Sequence, residues 1–436
     1  MSLLLLEGPA GSGKTTGLIE EVRRFLTSAP MADGQRVLAL TKMHGSRRRM
    51  EAKLGTELHP TPADCQTIDS FALHINRRFR DLAQVLVGGA PPGVGDFQGQ
   101  CDLAGRLLAE PTVARWVAGT YPVVVVDELQ DSKGGQIRVI EGLTRTLHCI
   151  CAADEFQDLT GDTSSNAASW ARGHCTPRVL AGNHRTSVSG LLAAASALRA
   201  GTTGPLVSVP RQFVVRTCAS AAHAGAFVSW EITSSRSEQC RDIAILSPTG
   251  SDSSVFVRDV VNWVTSKPAT TKRNSATSGP HRIRWESAAA VEADDIINAL
   301  SLDVNCAIPL ALADLEASAR EIGADDLSAS MKRRRILRGE STISAGDAIS
   351  CVQHAVSLRR SFGTHRGSSV SAMTIHGAKN REFDAVVVLW PREVRKGEEM
   401  HRRLLYNAIT RARRRVLVVV HDTKGKRIAV PPFCLP

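Results

Sequence analysis

The chain has 436 residues, 43% of them hydrophobic, which is enough for roughly two to four domains with filled cores. Lys and Arg outnumber Asp and Glu by 54 to 43, a formal net charge of +11 that favours a polyanionic partner. The cysteines form no CxxC pair, and no apolar run approaches the roughly 18 residues of a membrane span. These features exclude a disulfide scaffold and a membrane protein, and we expect a cytoplasmic enzyme with reduced thiols.

Short, uniformly apolar segments recur along the chain and each leads into polar residues. In chain order they are residues 3–6, 37–40, 121–126, 147–153, 242–246, 385–389 and 416–420. Helical spacing of apolar residues follows the first segment, and helical stretches separate the later ones. Strands of this kind belong to parallel sheets that are covered on both faces. The sequence therefore predicts an α/β fold with two parallel-sheet lobes in tandem.

Three regions interrupt this pattern. Residues 87–99 are rich in Gly and Pro, which predicts a loop within a small insertion at about 81–118. Residues 266–280 predict an exposed excursion, and residues 302–367 predict a mostly helical insertion. The predicted lobes are 1–187, which binds the nucleotide, and 188–436.

A glycine-rich loop follows the first predicted strand. Residues 8–15, GPAGSGKT, fit the pattern G-x4-G-K-[ST] between a strand and a helix. Glycines let backbone N–H groups surround phosphates, Lys14 neutralises the outer phosphates, and the Thr15 hydroxyl can ligate Mg2+. The residues predicted to bind ATP are Gly8, Gly11, Gly13, Lys14, Thr15 and Thr16.

Two acidic residues follow the apolar segment 123–126. Asp127 and Glu128 lie where open α/β sheets place their ligands, at the carboxyl end of a buried strand. We expect Asp127 to hold Mg2+ through a water molecule, and Glu128 to orient and deprotonate the water that attacks the terminal phosphate.

Four segments further along the chain occur in the order of a known family. They are VVVVDELQD at 123–131, LAGNHRT at 180–186, MTIHGAKNREF at 373–383 and LLYNAITRA at 404–412. With these segments the chain resembles superfamily 1 helicases of the UvrD/Rep/PcrA type, as a compact member with reduced accessory domains. The resemblance reaches both ends of the chain and implies two RecA-like lobes that bind ATP between them.

The resemblance implies roles for residues in the cleft. Arg185 and Arg411 match the two family arginines that reach the terminal phosphate, a task suited to a planar and permanently charged guanidinium. Gln157 would sense the same phosphate, and Glu382 would bind the ribose. His184 stands where the family has a tyrosine that stacks on adenine. Because no counterpart of the family's adenine-reading glutamine precedes residue 3, we expect relaxed base selectivity.

The resemblance also implies a surface for a nucleic-acid strand, gripped mainly by its phosphates. Its predicted residues are Thr41, Thr67 and Ser70 on the first lobe, and Thr374 and His376 on the second. Lys379 belongs to the same motif as Thr374, which touches both the strand and the cleft.

Aromatic residues make up only 4% of the chain, and ADEFQDLTG at 153–161 replaces the family's base-stacking stretch. Candidates to replace that stacking are Phe71, Phe156, Trp170 and Trp390.

The favoured interpretation is a translocase or helicase on single-stranded DNA, or on RNA, with a 3′ to 5′ direction that only the resemblance implies. A second hypothesis is the motor subunit of a helicase–nuclease pair, with a nuclease as partner. A third is an ATP-gated clamp or sensor that does not step. A small-molecule kinase is disfavoured because it does not need the segments HGAK and TRA.

Overall fold

The computed structural model describes most of the chain. The described residues are 2–42, 44–89, 91–93, 96–159, 167–202, 204–250, 253–270, 275–286, 289–303, 306, 308–362, 370–394, 397–423 and 429–435.

The first sheet has six parallel strands among these residues. They are β1 (Ser2–Glu7), β2 (Val37–Thr41), β3 (Ala63–Thr67), β4 (Val123–Val126), β5 (His148–Ala153) and β6 (Arg178–Val179), in the order β3-β2-β4-β5-β1-β6. The helices around it are α1 (Lys14–Ser28), α2 (His44–Glu57), α3 (Ile68–Arg78), α4 (Arg80–Val87), α5 (Phe97–Leu108), α6 (Pro111–Thr120), α7 (Gly135–Thr144) and α8 (Ala167–Arg172). Single 3-10 turns at Leu129–Asp131 and Glu155–Gln157 follow β4 and β5.

The rest of the described chain builds a second sheet of six parallel strands, a group of helices and three short antiparallel pairs. The strands are β7 (Gly204–Pro205), β8 (Phe213–Cys218), β9 (Ile243–Ser247), β10 (Ala269–Thr270), β11 (Thr277–Ser278), β12 (Ile283–Trp285), β13 (Leu310–Ala311), β14 (Thr342–Ile343), β15 (Val370–Thr374), β16 (Phe383–Trp390), β17 (Ala412–His421) and β18 (Cys434–Leu435). The second sheet has the order β12-β15-β9-β16-β17-β8, and the short pairs are β7 with β18, β10 with β11, and β13 with β14. The helices are α9 (Ser189–Ala200), α10 (Ala221–Ser237), α11 (Val255–Ser266), α12 (Ala289–Ala299), α13 (Leu312–Glu321), α14 (Asp325–Arg338), α15 (Ala345–Phe362) and α16 (Glu398–Ile409).

Each large sheet is buried on both faces, which explains its apolar strands. On β4, Val124 and Val126 pack into one apolar layer, whereas Val123 and Val125 pack into the layer on the opposite face. Since successive side chains of a strand point to opposite faces, burial of both faces requires an apolar residue at every position. The predicted α/β fold with two parallel-sheet lobes is confirmed.

The helical insertion has its own small core. Helices α12 to α15 bury an apolar cluster that includes Leu312, Leu327, Met331 and Val352. The pair of β13 and β14 joins this group of helices. The exact lobe bounds, 1–187 and 188–436, and the insertion bounds stay predictions.

The predicted excursion at 266–280 is a hairpin in the structure, and most of its described residues are exposed as expected. Strands β10 and β11 pair within it, and Ser278 is only 2% exposed because its hydroxyl bonds to α10. Ser278 Oγ donates to the backbone oxygen of Ser229 at 2.7 Å. Only the tip at 271–274 lies outside the described residues, and the buried residues Ala269 and Ser278 anchor this exposed hairpin on α10.

The hairpin leads to a buried histidine that makes stability depend on pH. His281 is 7% exposed, its Nε2 lies 3.1 Å from Ser229 O, and burial lowers the pKa of the imidazole. The unfolded chain therefore takes up this proton at a higher pH than the folded chain does, and stability falls as the pH drops below about 6.5. We expect His281→Gln to reduce the difference between the thermal midpoints at about pH 7.5 and about pH 5.5.

His223→Gln is the matched control, because His223 lies on α10 with its ring exposed. If both variants show the same pH dependence as the wild type, His281 does not contribute to it.

None of the helices in the described part of the chain combines the length and the apolar character needed to cross a membrane.

Candidate nucleotide site between the two sheets

The candidate site begins where β1, β4 and β5 end side by side. These strands are neighbours in the first sheet, so their carboxyl ends bring together the glycine loop, Asp127 and Asp154. Neighbouring carboxyl ends of parallel strands are the usual ligand position of open α/β sheets.

The glycine loop has the backbone shape of a phosphate cradle. Gly11 and Gly13 have φ angles of 82° and 81°, in the left-handed region, and a Cβ at Gly11 would lie 2.6 Å from the Asn183 side chain. The hydroxyl of Ser12 is buried and has no hydrogen-bond partner among the described residues. A buried hydroxyl without a partner fits a site that receives a polar ligand.

The segment after β6 donates hydrogen bonds to the glycine loop. The Asn183 side chain donates to Ala10 O at 2.9 Å, and His184 N donates to Gly11 O at 2.7 Å. The ring of His184 lies close to Gly13. The predicted adenine-stacking position is therefore next to the glycine loop.

Lys14 begins α1 and is 8% exposed. Its Nζ donates to Gly8 O at 2.9 Å and to Pro9 O at 3.0 Å, and lies 3.9 Å from Asp154 Oδ2. The ammonium group of Lys14 therefore lies inside the glycine loop, where we predict that phosphates bind.

Thr15 and Asp127 provide adjacent oxygen ligands. Thr15 Oγ1 donates to Asp127 Oδ2 at 3.1 Å. Burial raises the pKa of Asp127 to about 6, with repulsion by Glu128 adding to this and attraction by Lys14 opposing it. Hydroxyl and carboxylate oxygens are the ligands that Mg2+ prefers, so this pair fits the predicted metal site.

Glu128 occupies a strained backbone position beside Asp127. Its φ of 56° is unusual for a residue with a side chain, and such strain, of order 1–3 kcal/mol, tends to occur at functional sites. Gln130 Nε2 donates to Glu128 Oε2 at 2.6 Å. Burial alone would raise the pKa of Glu128, but attraction by Lys14 and Lys379 lowers it below the usual value. The carboxylate is therefore ionised at neutral pH.

Arg411 reaches this group of residues from the second lobe. It is 2% exposed, and its Nη2 donates to Gln157 Oε1 at 3.2 Å. Gln157 Nε2 donates in turn to Asp154 Oδ2 at 3.0 Å. Burial, with repulsion by Arg185, lowers the pKa of Arg411 to about 10, which leaves it charged at neutral pH. A continuous path of polar contacts thus joins Arg411 to Lys14.

Arg185 and Glu382 are paired with each other. Arg185 Nε donates to Glu382 Oε1 at 2.8 Å, and Arg185 Nη1 donates to Thr410 O at 2.7 Å. Burial opposes ionisation of Glu382, but Arg185 and Arg413 lower its pKa below the usual value. The predicted phosphate-facing arginine and the predicted ribose ligand are therefore brought together at the edge of the same cleft.

Sequence comparison identifies the segment that carries these second-lobe residues. Residues 369–419 match the family described as the UvrD-like helicase C-terminal domain. Residues 369–419 are therefore similar to the C-terminal domain of UvrD-like helicases, which supports the UvrD/Rep type of superfamily 1 helicase. The family predicted from the motifs is confirmed, and the matched segment contains His376, Glu382 and Arg411. No curated protein matches the chain in sequence.

Tyr406 and Asp131 also join the site, although neither of them was assigned a role from the sequence. Tyr406 Oη accepts a hydrogen bond from Ala10 N at 2.9 Å and lies 3.3 Å from Asp154 Oδ2. Lys379 forms a buried ion pair with Asp131 and donates to Gln157 O at 3.3 Å. Tyr406 lies within LLYNAITRA, so that segment was a signal for it. Asp131 similarly ends VVVVDELQD.

The residues predicted to grip a strand divide into two groups. Ser70 and His376 are exposed and Thr374 is half-buried. Thr41 and Thr67 are 1% and 3% exposed, and Thr67 Oγ1 caps α3 by accepting a hydrogen bond from Ser70 N at 3.1 Å. Thr41 and Thr67 therefore lie at the buried ends of β2 and β3, and their contacts with a nucleic-acid strand stay predictions.

The predicted stacking candidates are mostly packing residues. Phe71 and Trp390 are 0% and 3% exposed and belong to the two lobe cores. Trp170 is half-buried against the first core. The Phe156 ring meets Tyr406 edge-on, with ring centres 5.0 Å apart, and lies beneath the guanidinium groups of α16. Phe71, Trp390 and Phe156 are therefore corrected from base stacking to internal packing.

Proposed function

We propose that the chain is an ATP-dependent translocase or helicase on single-stranded nucleic acid, with DNA as the substrate and a 3′ to 5′ direction taken from the family. The proposal rests on the polar path that runs from Lys14 through Asp154 and Gln157 to Arg411. The path crosses the seam between the two sheets, so a phosphate beside Lys14 would be sensed in both lobes.

Residues on the path and beside it would have separate chemical tasks in ATP hydrolysis. Lys14 would exchange the carbonyl oxygens of the glycine loop for phosphate oxygens. Glu128 would take the proton of the attacking water, and Arg411 with Arg185 would stabilise the charge that develops on the terminal phosphate. Thr15 and Asp127 would hold Mg2+, which supplies charge neutralisation between the outer phosphates when it is bound.

The two lobes would close while the terminal phosphate is bound, and repeated closing and opening would move the chain along the strand. ATP would bridge the two lobes through Arg411 and Lys14, and hydrolysis would release that bridge. Ser70 on the first lobe and Thr374 and His376 on the second would hold the strand alternately. Contacts of this kind bind the sugar–phosphate backbone, so we expect binding that does not depend on the base sequence of the strand.

ATP hydrolysis by the full chain, measured with and without single-stranded DNA or RNA, tests the proposal. We expect Mg2+-dependent hydrolysis with strong stimulation by the strand, and then unwinding of a duplex with a 3′ tail. Translocation without unwinding would favour a motor that acts with a partner such as a nuclease. An absence of hydrolysis under all of these conditions would overturn the proposal.

Removal of the exposed His376 imidazole tests the predicted surface for a nucleic-acid strand. A hydrogen bond to a charged phosphate contributes about 1.5 kcal/mol or more, so His376→Ala should weaken single-strand affinity by roughly tenfold or more. Fluorescence anisotropy with a labelled oligonucleotide at several salt concentrations measures this. The exposed His223 on α10 provides the control, His223→Ala, for which no change is expected. If the two variants bind the oligonucleotide with equal affinity, His376 does not contact the strand.

A further inference from the structure

Asp154 is the point at which the two lobes share one buried charge. Its side chain is 0% exposed and follows β5 of the first sheet. Lys14 lies 3.9 Å away on the same lobe, whereas the Arg199 guanidinium approaches at 2.5 Å from the second lobe. Three neutral groups also donate to this carboxylate, namely Gln157 Nε2 at 3.0 Å, Phe156 N at 3.2 Å and Tyr406 Oη at 3.3 Å. Among the described residues, the carboxylate thus has two cationic neighbours, and they come from opposite sides of the seam.

Arg199 lies close to an aromatic ring from each lobe. It lies in the last turn of α9, and its guanidinium is close to the rings of Phe156 and Tyr406, each at 5.9 Å. Burial alone would lower the pKa of Arg199, but attraction by Asp154 raises it above the usual value. Its side chain is 36% exposed, so solvent screens the guanidinium more than it screens the carboxylate.

Nucleotide binding would require Lys14 to move but would leave Arg199 in place. Lys14 would have to turn toward phosphate oxygens, and its attraction to Asp154 opposes that movement. The neutral donors around Asp154 do not compensate its charge, and a buried charge without an opposite charge beside it is strongly disfavoured, so the freedom of Lys14 depends on another cation staying beside Asp154. Arg199 can do this because its guanidinium is fixed on α9 and lies closer to the carboxylate than Lys14 does.

We propose that Arg199 is a positioning residue for the nucleotide site, which neutralises Asp154 across the seam and so leaves Lys14 available to phosphates. The inference rests on the proposed ATP site and adds a second-lobe residue to it. Arg199 acts through Asp154 and has no direct role in the chemical step. Closure of the seam and availability of Lys14 are then linked, because separation of the lobes removes Arg199 from the carboxylate.

Calorimetric titration of the full chain with Mg·ADP tests this, since ADP carries the phosphates that Lys14 would contact and is not hydrolysed. We expect Arg199→Ala to weaken Mg·ADP binding by about tenfold, because Lys14 is then the one cation of the described residues that remains to pair with Asp154. Asp154→Asn removes the competing charge, so Arg199→Ala combined with Asp154→Asn should return to within about threefold of the wild type. Arg199→Lys should fall between the wild type and Arg199→Ala.

Arg402→Ala is the matched control. Arg402 lies over the same Phe156 ring, at 5.5 Å, and donates to the backbone oxygen of Leu198 at 2.8 Å. Its removal disturbs the same seam without changing the charge beside Asp154, so Mg·ADP affinity should stay within about twofold of the wild type. A loss as large as that of Arg199→Ala would show a structural effect of the seam and overturn the inference.

The remaining outcomes are equally decisive. A folded Arg199→Ala chain that binds Mg·ADP as the wild type does, or a double variant as weak as Arg199→Ala, would overturn the role of Arg199. If Arg199→Ala does not fold, Asp154→Asn alone decides: affinity equal to or above that of the wild type supports the inference, and weaker affinity overturns it. A wild-type chain that binds no Mg·ADP would instead refute the proposed ATP site itself.

Discussion

Replacing Arg411 by Ala is expected to lower kcat for strand-stimulated ATP hydrolysis by about 10³-fold or more, as for arginines that face a transferred phosphate in other nucleotide hydrolases. The guanidinium is 2% exposed and donates to Gln157 Oε1 at 3.2 Å, on the path that leads to Lys14. A charge in so enclosed a position interacts strongly with charge that develops on phosphate oxygens. Steady-state kinetics that separate kcat from KM measure the effect.

Arg411→Lys and Arg414→Ala make this result interpretable. Lysine keeps the charge but lacks the planar fork, so Arg411→Lys should lose most of the same activity. Arg414 is exposed three residues further along and donates to Glu238 O at 2.8 Å, so Arg414→Ala should hydrolyse ATP at the wild-type rate. If Arg411→Ala folds, binds Mg·ADP and keeps kcat within about tenfold of the wild type, Arg411 does not face the phosphate.

The sheets could be predicted from the sequence because burial on both faces leaves a local signature. Each of the seven predicted apolar segments lies in or overlaps a strand of the two large sheets. The prediction missed five strands of these sheets, β3, β6, β8, β12 and β15. In β3 (ADCQT) and β15 (VSAMT) about half of the residues are polar, so they lack the apolar signature. Ser371 on β15 is nevertheless 4% exposed, so its placement depends on neighbouring strands rather than on its own chemistry.

The site was predicted best where local sequence imposes backbone geometry. The glycine loop and the acidic residues after β4 each follow directly from a strand and its end, and the structure brings Lys14, Asp127 and Glu128 together. Contacts across the seam could not be predicted in this way. Arg199 and Asp154 are 45 residues apart in the chain, and no motif contains Arg199.

The burial of Thr41 and Thr67 shows that sequence motifs do not predict the exposure of a side chain. Family motifs name residue types at strand ends, but the packing of neighbouring helices decides whether those side chains reach solvent. Thr67 is used as the N-cap of α3, a structural task that the same residue type performs in many helices. Ser70, one turn later, keeps the exposure that a strand contact needs.

Replacing Glu128 by Gln is expected to lower kcat by about 10²- to 10⁴-fold, the usual contribution of a general base. The amide has nearly the same shape and retains an oxygen that can accept the hydrogen bond from Gln130, but it cannot take a proton from water. Because the substitution leaves Lys14 and Thr15 unchanged, Mg·ADP should still bind. Single-turnover hydrolysis with excess enzyme isolates the chemical step from product release.

Glu141→Gln on α7 is the matched control, since Glu141 pairs with Arg145 on the helix surface at 2.9 Å. The same change of a carboxylate to an amide should leave the single-turnover rate unaltered there. The amide of glutamine does not ionise, so raising the pH does not restore the base that Glu128→Gln removes. A Glu128→Gln chain that hydrolyses ATP at the wild-type rate would assign the base to another group of the cleft.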